Sequence, residues 1–79
     1  MAATLLFLGR LEDLAEGPRR EIEPGALELV LAKLEPALAV ALLEERVRLA
    51  LNGTLVSERG GIVLKDGDEL AFLPPVSGG

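Results

Sequence analysis

The chain ends in Gly78-Gly79, a carboxylate carried on two residues without side chains. Gly accepts backbone angles closed to other residues and lets another backbone approach closely. Such an end is thin enough to thread a narrow tunnel to the catalytic atoms of another protein, and the chemistry open to it there is acyl transfer. A carboxylate is a poor electrophile, so Gly79 first needs activation, as an acyl-adenylate made by an ATP-using partner. The activated carbonyl then accepts sulfur, or a nucleophile from another protein. The competing reading is a frayed, Gly-rich terminus without a role, since disorder concentrates at chain ends.

The rest of the composition narrows the chemistry. The chain holds no Cys and no His among its 79 residues. Disulfides, thiolate nucleophiles, imidazole bases and the usual zinc ligands are therefore removed together. A single domain of this size buries about 60–65% of its unfolded surface, too little for an enclosed active site. The expectation is that the chain is carried as a substrate and that catalysis belongs to its partners. ATP would be used by the activating enzyme, and no cofactor is expected on this chain. Thirteen acidic residues against eight basic ones give a net charge of −5, which repels phosphate backbones and speaks against nucleic acid as a partner. No uncharged run exceeds ten residues, which excludes a membrane span. Met1–Gly9 lacks a basic leader and a cleavage site, so it reads as a buried first strand rather than a signal peptide. The absence of Cys suits a cytoplasmic location.

The elements that must position the terminus follow from periodicity. Thr4–Leu8 is a short apolar run ending at Gly9, a central strand. Arg10–Gly17 fits a helical turn or ordered loop. Pro18–Glu23 alternates around Ile22 with charges and flanking prolines, the composition of an edge strand. Leu27, Val30, Leu31 and Leu34 form one face of a helix. Pro36 stops that helix or opens a second short one carrying Leu38, Leu42 and Leu43. Arg46–Leu51 alternates as a strand, Asn52-Gly53 is a tight-turn signal, and Leu55-Val56 continues beyond it. Arg59–Gly61 reads as a loop, Ile62–Leu64 as a short extended piece, Lys65–Asp68 as a turn, and Glu69–Leu73 as the last strand. Two strands, a helical segment and two or more strands in this length predict an α+β chain. The arrangement is a β-grasp, ubiquitin-like fold: a mixed four- to five-stranded sheet with one main helix across one face. Residues 1–75 form the domain and residues 76–79 a flexible C-terminal tail.

Side chains alternate across a strand. Leu5, Phe7, Val47, Leu49, Leu51, Leu70 and Phe72 are assigned to the helix side. Leu6, Leu8, Arg46, Arg48, Ala50, Ala71 and Leu73 are assigned to the open face. That face should turn polar, but Leu6, Leu8, Ala71 and Leu73 keep it apolar, which fits a docking patch beside the tail. Scattered surface leucines are the plainer alternative. From Leu73 the six residues Pro74–Gly79 reach at most about 20 Å. Pro74-Pro75 stiffens the base of the tail and lowers the ordering cost on binding. Val76 offers an apolar anchor and Ser77 a hydrogen-bonding group.

The ending Asp66-Gly67-Asp68-Glu69-Leu70-Ala71-Phe72-Leu73-Pro74-Pro75-Val76-Ser77-Gly78-Gly79 resembles the small subunit of molybdopterin synthase, the molybdopterin-converting factor sulfur carriers. Leu5–Leu14 and Leu51–Val56 agree with it in order and spacing, so the resemblance runs essentially end to end. It implies that an E1-like adenylyltransferase activates Gly79 and that a sulfur donor, such as a cysteine desulfurase or rhodanese, converts it to a thiocarboxylate. The tail then enters the large synthase subunit in a heterotetramer, where sulfur passes to cyclic pyranopterin monophosphate in molybdenum cofactor biosynthesis. The family's interface positions fall on Leu8, Leu55 and Leu73, aliphatic here where relatives often carry aromatics at the first and third. Related carriers serving thiamine, tRNA thiolation or cysteine synthesis share the chemistry, and some prokaryotic relatives modify lysines. A non-catalytic β-grasp interaction module with an inert tail is a further reading, and it predicts full function without Gly78-Gly79.

Overall fold

The computed structural model describes residues 2–75. Leu5 and Phe7 alternate with half-exposed neighbours in β1 (Ala3–Phe7), as the apolar run requires of a strand covered on one face. A turn at Gly9 leads into α1 (Arg10–Ala15), which buries Leu11 and Ala15. β2 (Arg19–Ile22) returns antiparallel to β1 and forms one edge of the sheet. The Leu27, Val30, Leu31 and Leu34 stripe is buried as its spacing predicts. The helix itself is divided: α2 (Leu27–Ala32) tightens at its end, where the Lys33 and Leu34 amides bond the Val30 and Leu31 carbonyls. α3 (Pro36–Leu42) then starts with Pro36 in its first turn, where a missing N–H costs nothing. Leu38 and Leu42 face the core while Leu43 lies exposed.

β4 (Arg48–Leu51) and β5 (Thr54–Val56) make a hairpin across Asn52-Gly53. Both turn residues have positive φ, 50° and 86°, the geometry that matches the twist of paired strands and favours Asn-Gly. β7 (Glu69–Leu73) lies between β1, to which it is parallel, and β4, to which it is antiparallel. The sheet order is β2-β1-β7-β4-β5. The helices cover one side of this five-stranded mixed sheet, which is the β-grasp, ubiquitin-like arrangement expected from the element order. One pairing was not expected: β3 (Gly25–Ala26) joins β6 (Val63–Leu64) in a separate two-stranded ladder. It ties the chain ahead of α2 to the long return loop.

The core takes in both aromatic residues of the chain, Phe7 and Phe72, which stack with ring centroids 5.8 Å apart. Among the described residues no polar or charged side chain is buried. Polar ties run along the rim instead. Arg20 on β2 donates to both carboxylate oxygens of Glu35, at 2.6 and 3.1 Å, and to the Ala15 carbonyl at 3.0 Å. This one side chain links β2, α1 and the start of α3. The Arg20 hydrogen bond, reinforced by the Glu35 backbone, lowers the Glu35 carboxyl to about 2.

A carboxyl with a depressed folded-state pKa stabilises the fold above its unfolded pKa and loses that contribution as pH falls through the folded value. Stability from the Glu35 pair should therefore be complete above about pH 4.5 and fade toward pH 2. An acid titration of the unfolding midpoint checks this. Glu35→Gln should show a shallower decline across that interval than the parent chain, and the difference should shrink at high salt.

Candidate functional site

Leu8, Leu73, Pro74 and Pro75 lie together at one end of the sheet, and Leu55 stands on its open face. β7 is a central strand, paired on both sides, so its last residue delivers Pro74-Pro75 from the best-anchored part of the molecule. The Leu8 amide donates to the Phe72 carbonyl at 3.2 Å, which extends the β1–β7 pairing to the point of exit. Pro74 then lies against Gly9. A Cβ on Gly9 would sit 2.9 Å from Cγ of Pro74, and Gly9 has φ 56° and ψ −137°, a conformation that side chains oppose. Gly9 thus satisfies two demands at once, the turn from β1 into α1 and the passage of the chain over it.

Substituting Gly9 tests that seat. Gly9→Ala should cost about 1–3 kcal/mol from the backbone conformation alone, the usual scale for such strain. The contact with Pro74 adds a displacement of the exit. Chemical denaturation gives the first, and altered amide signals of Leu73 and of residues flanking Gly9 give the second.

The open face carries the three interface positions drawn from the resemblance. Register places Leu55, Ala50, Ala71, Leu6 and Arg19 in one row across the five strands. Leu55 shares the open face because it stands opposite Ala50, and it is 64% exposed. Leu73 stands opposite Arg48, two residues along β7 from Ala71, and is half-buried. Leu8 follows Leu6 on the same side and is 42% exposed. The outward parity assigned to Leu6, Leu8, Ala50, Ala71 and Leu73 matches their exposure, and so does the inward parity of Leu5, Phe7, Val47, Leu49, Leu70 and Phe72. Pro74 and Pro75 are both half-buried. Val76, Ser77, Gly78 and Gly79 lie outside the described residues.

Two grooves flank the exit. One, of about 600 Å³, runs from Pro74-Pro75 along Glu45–Leu49 to Val56, Ser57 and Arg59. The other, of about 340 Å³, lies between α1 and α3 and is lined by Arg10, Leu11, Leu14, Val40, Ala41, Glu44, Arg46 and Val47. Sequence reasoning missed the residue that shapes the first. Arg59, read only as part of a loop, donates to the carbonyls of Leu42 (3.0 Å), Glu44 (2.7 Å) and Val47. The last carbonyls of a helix have no partner inside it, and the final turn of α3 holds no basic residue to serve them. That deficit was the available signal, although nothing local says which Arg answers it. Arg59 thereby fixes the segment between α3 and β4 that forms the groove wall.

At the opposite end of β7 the Lys65–Asp68 turn is closed by short-range bonds. Asp68 accepts from the Lys65 amide at 2.9 Å and from the Asn52 side chain at 3.1 Å. These hold its carboxyl below the usual range, the backbone amide contributing most. Asp66 accepts from the Ala2 amide at 2.8 Å. The acidic turn therefore joins the start of β1 to the β4–β5 hairpin, in keeping with its reading as a turn. Among the described residues no three His, Cys, Asp or Glu side chains gather as a metal-binding cluster. No helix among the described residues is long and apolar enough to cross a membrane.

Comparison with known proteins agrees with this geometry. The small archaeal modifier protein 1 of Methanosarcina acetivorans superposes with a TM-score of 0.79 at 26% identity, covering 99% of this chain and 96% of that one. Its counterpart from Haloferax volcanii gives 0.76 at 22% identity over the whole of both chains, a likeness of fold. A complex of subunits 1 and 2 of molybdopterin-converting factor from Helicobacter pylori contains a chain that matches at 27% identity with a TM-score of 0.66, again over the whole of both. No curated protein matches the chain. The profile of the ThiS family covers residues 5–79, from the third residue of β1 to the last glycine, so the chain belongs to the ThiS family and has the β-grasp fold of ubiquitin-like sulfur carriers.

Proposed function

We propose that this chain is the sulfur carrier subunit of a molybdopterin synthase. The Gly79 carboxylate attacks ATP on an E1-like enzyme and releases pyrophosphate. The terminal sulfur of a persulfide on a desulfurase or rhodanese then displaces AMP to give an acyl disulfide, and a second thiol attacks the donor's sulfur, leaving the thiocarboxylate on Gly79 and a disulfide on the donor. The tail enters the large subunit and passes its sulfur to cyclic pyranopterin monophosphate, and water cleaves the acyl–sulfur bond so that Gly79 returns as a carboxylate. The open face with Leu8, Leu55 and Leu73 docks the large subunit while Pro74-Pro75 directs Val76–Gly79 into its pocket. The supporting observation is full-length similarity to a chain of the molybdopterin-converting factor complex, joined to the Pro-Pro-Val-Ser-Gly-Gly ending.

Intact-mass analysis after incubation with an E1-like enzyme, ATP and a sulfur donor should show one oxygen of Gly79 replaced by sulfur. An unchanged mass with an enzyme competent on its own carrier would sink the reading. The similarity to archaeal modifier proteins favours a second use, in which the activated Gly79 joins a lysine amine of another protein. The same assay with protein acceptors separates the two, since conjugation yields a heavier isopeptide-linked product.

A further inference from the structure

The charge of this chain is unevenly placed. The two grooves that flank Pro74-Pro75 are lined by Arg10, Arg46, Arg48 and Arg59, four of the eight basic residues, but by only Glu44 and Glu45 of the thirteen acidic ones. Arg10 and Arg48 are exposed and make no ion pair among the described residues. The Arg59 guanidinium is spent on three carbonyls, so its positive charge meets no carboxylate. Only Arg46 is paired, with Glu44 at 2.8 Å, and both partners are substantially exposed. The end from which the tail leaves is therefore positive on an otherwise strongly negative molecule.

We infer that these arginines form a basic collar around the base of the tail, which docks on carboxylate side chains at the mouth of the activating enzyme's pocket. The inference rests on the carrier reading above and adds the chemistry of the receiving surface. The collar has two sides because the grooves do. Arg48 beside Leu73 belongs to the sheet side, and Arg10 beside Leu14 belongs to the helix side. A partner that meets both encloses Pro74-Pro75 and fixes the direction of the tail. Charges at the edge of an interface act on encounter rate and register, and a net negative chain needs such a patch to approach an acidic mouth at all.

The test is binding of the full chain to the E1-like activating enzyme, by calorimetry at low and high salt. Arg10→Glu with Arg48→Glu should weaken association about tenfold or more at low salt and reverse its salt dependence, because the mouth now repels the patch. The milder Arg10→Gln with Arg48→Gln should fall between. Lys65→Glu, at the far end of β7, makes the same kind of charge change and should leave affinity at the parent value. Parent-like binding by the double reversal, equal loss in Lys65→Glu, salt-independent binding or no binding by the parent chain would each overturn the collar. Thiocarboxylate formation is measured separately on the parent chain at saturating enzyme, where conversion should be complete. Conversion without collar dependence removes the collar alone, and collar dependence without conversion removes the carrier reading alone.

Discussion

Deletion of Gly78 and Gly79 should abolish thiocarboxylate formation entirely while leaving the unfolding midpoint where it was. The two halves of this expectation come from different parts of the chain. The buried core runs from Ala3 to Phe72, and both partners of β7 are engaged before Pro74 is reached. Every residue of that core precedes Pro74. The proposed chemistry, by contrast, resides in a single carboxylate. The shortened chain ends in Ser77, two residues short of the reacting position, or roughly 7 Å at the extended rise of the backbone. A near-attack geometry tolerates misplacement of only about 1 Å before large losses of rate. Mass spectrometry of the deleted chain after incubation with activating enzyme, ATP and sulfur donor reads the first half, and denaturant unfolding reads the second. Gly79→Ala makes the finer point. It keeps the carboxylate in place but adds a methyl group, so conversion should slow without vanishing. A deleted chain that still supported the pathway would favour the inert-tail module instead.

Phe72→Ala should produce the largest loss of stability available in this molecule, about 3–5 kcal/mol, the range for removing a buried aromatic ring. Phe72 is 1% exposed, on the central strand, and its ring stacks on Phe7 at an interplanar angle of 9°. A domain of this length has a total stability of roughly 4–12 kcal/mol, so the loss takes a large share of it. The surrounding leucines cannot close the gap without moving β7 away from β1. Phe72→Leu keeps most of the volume and should cost clearly less. Urea denaturation of the three proteins gives the comparison. The functional consequence follows from position, because the Phe72 carbonyl accepts the Leu8 amide bond that anchors the exit of the tail. Loosening it should lower docking affinity even under conditions where the chain remains folded.

Local pattern was enough for much of this. Alternation along Leu5–Phe7 and Leu70–Leu73 assigned inward and outward residues correctly, because the two-residue period of a strand is a property of the backbone itself. Asn52-Gly53 marked its turn because so few residues accept positive φ at both positions. Pro36 marked the break between α2 and α3 for the same kind of local reason. The Gly78-Gly79 ending and the two prolines before it pointed to the chemistry without any fold.

Other features had no local signature. β3 is a two-residue ladder strand whose partner in β6 lies far along the chain, and two residues are too short to show a period. The placement of Leu55 on the open face needed the β4–β5 register, since a single residue in a three-residue strand does not reveal its side. Arg59 looked like any exposed loop arginine until the fold brought it to the carbonyls at the end of α3. The collar of Arg10, Arg46, Arg48 and Arg59 is spread over three separate segments of sequence. The sequence alone determined the end proposed here to react and the alternation that exposes the apolar face. Tertiary structure decided what surrounds the exit of the tail, because charge and hydrogen bonding act through space between residues that only folding brings within reach.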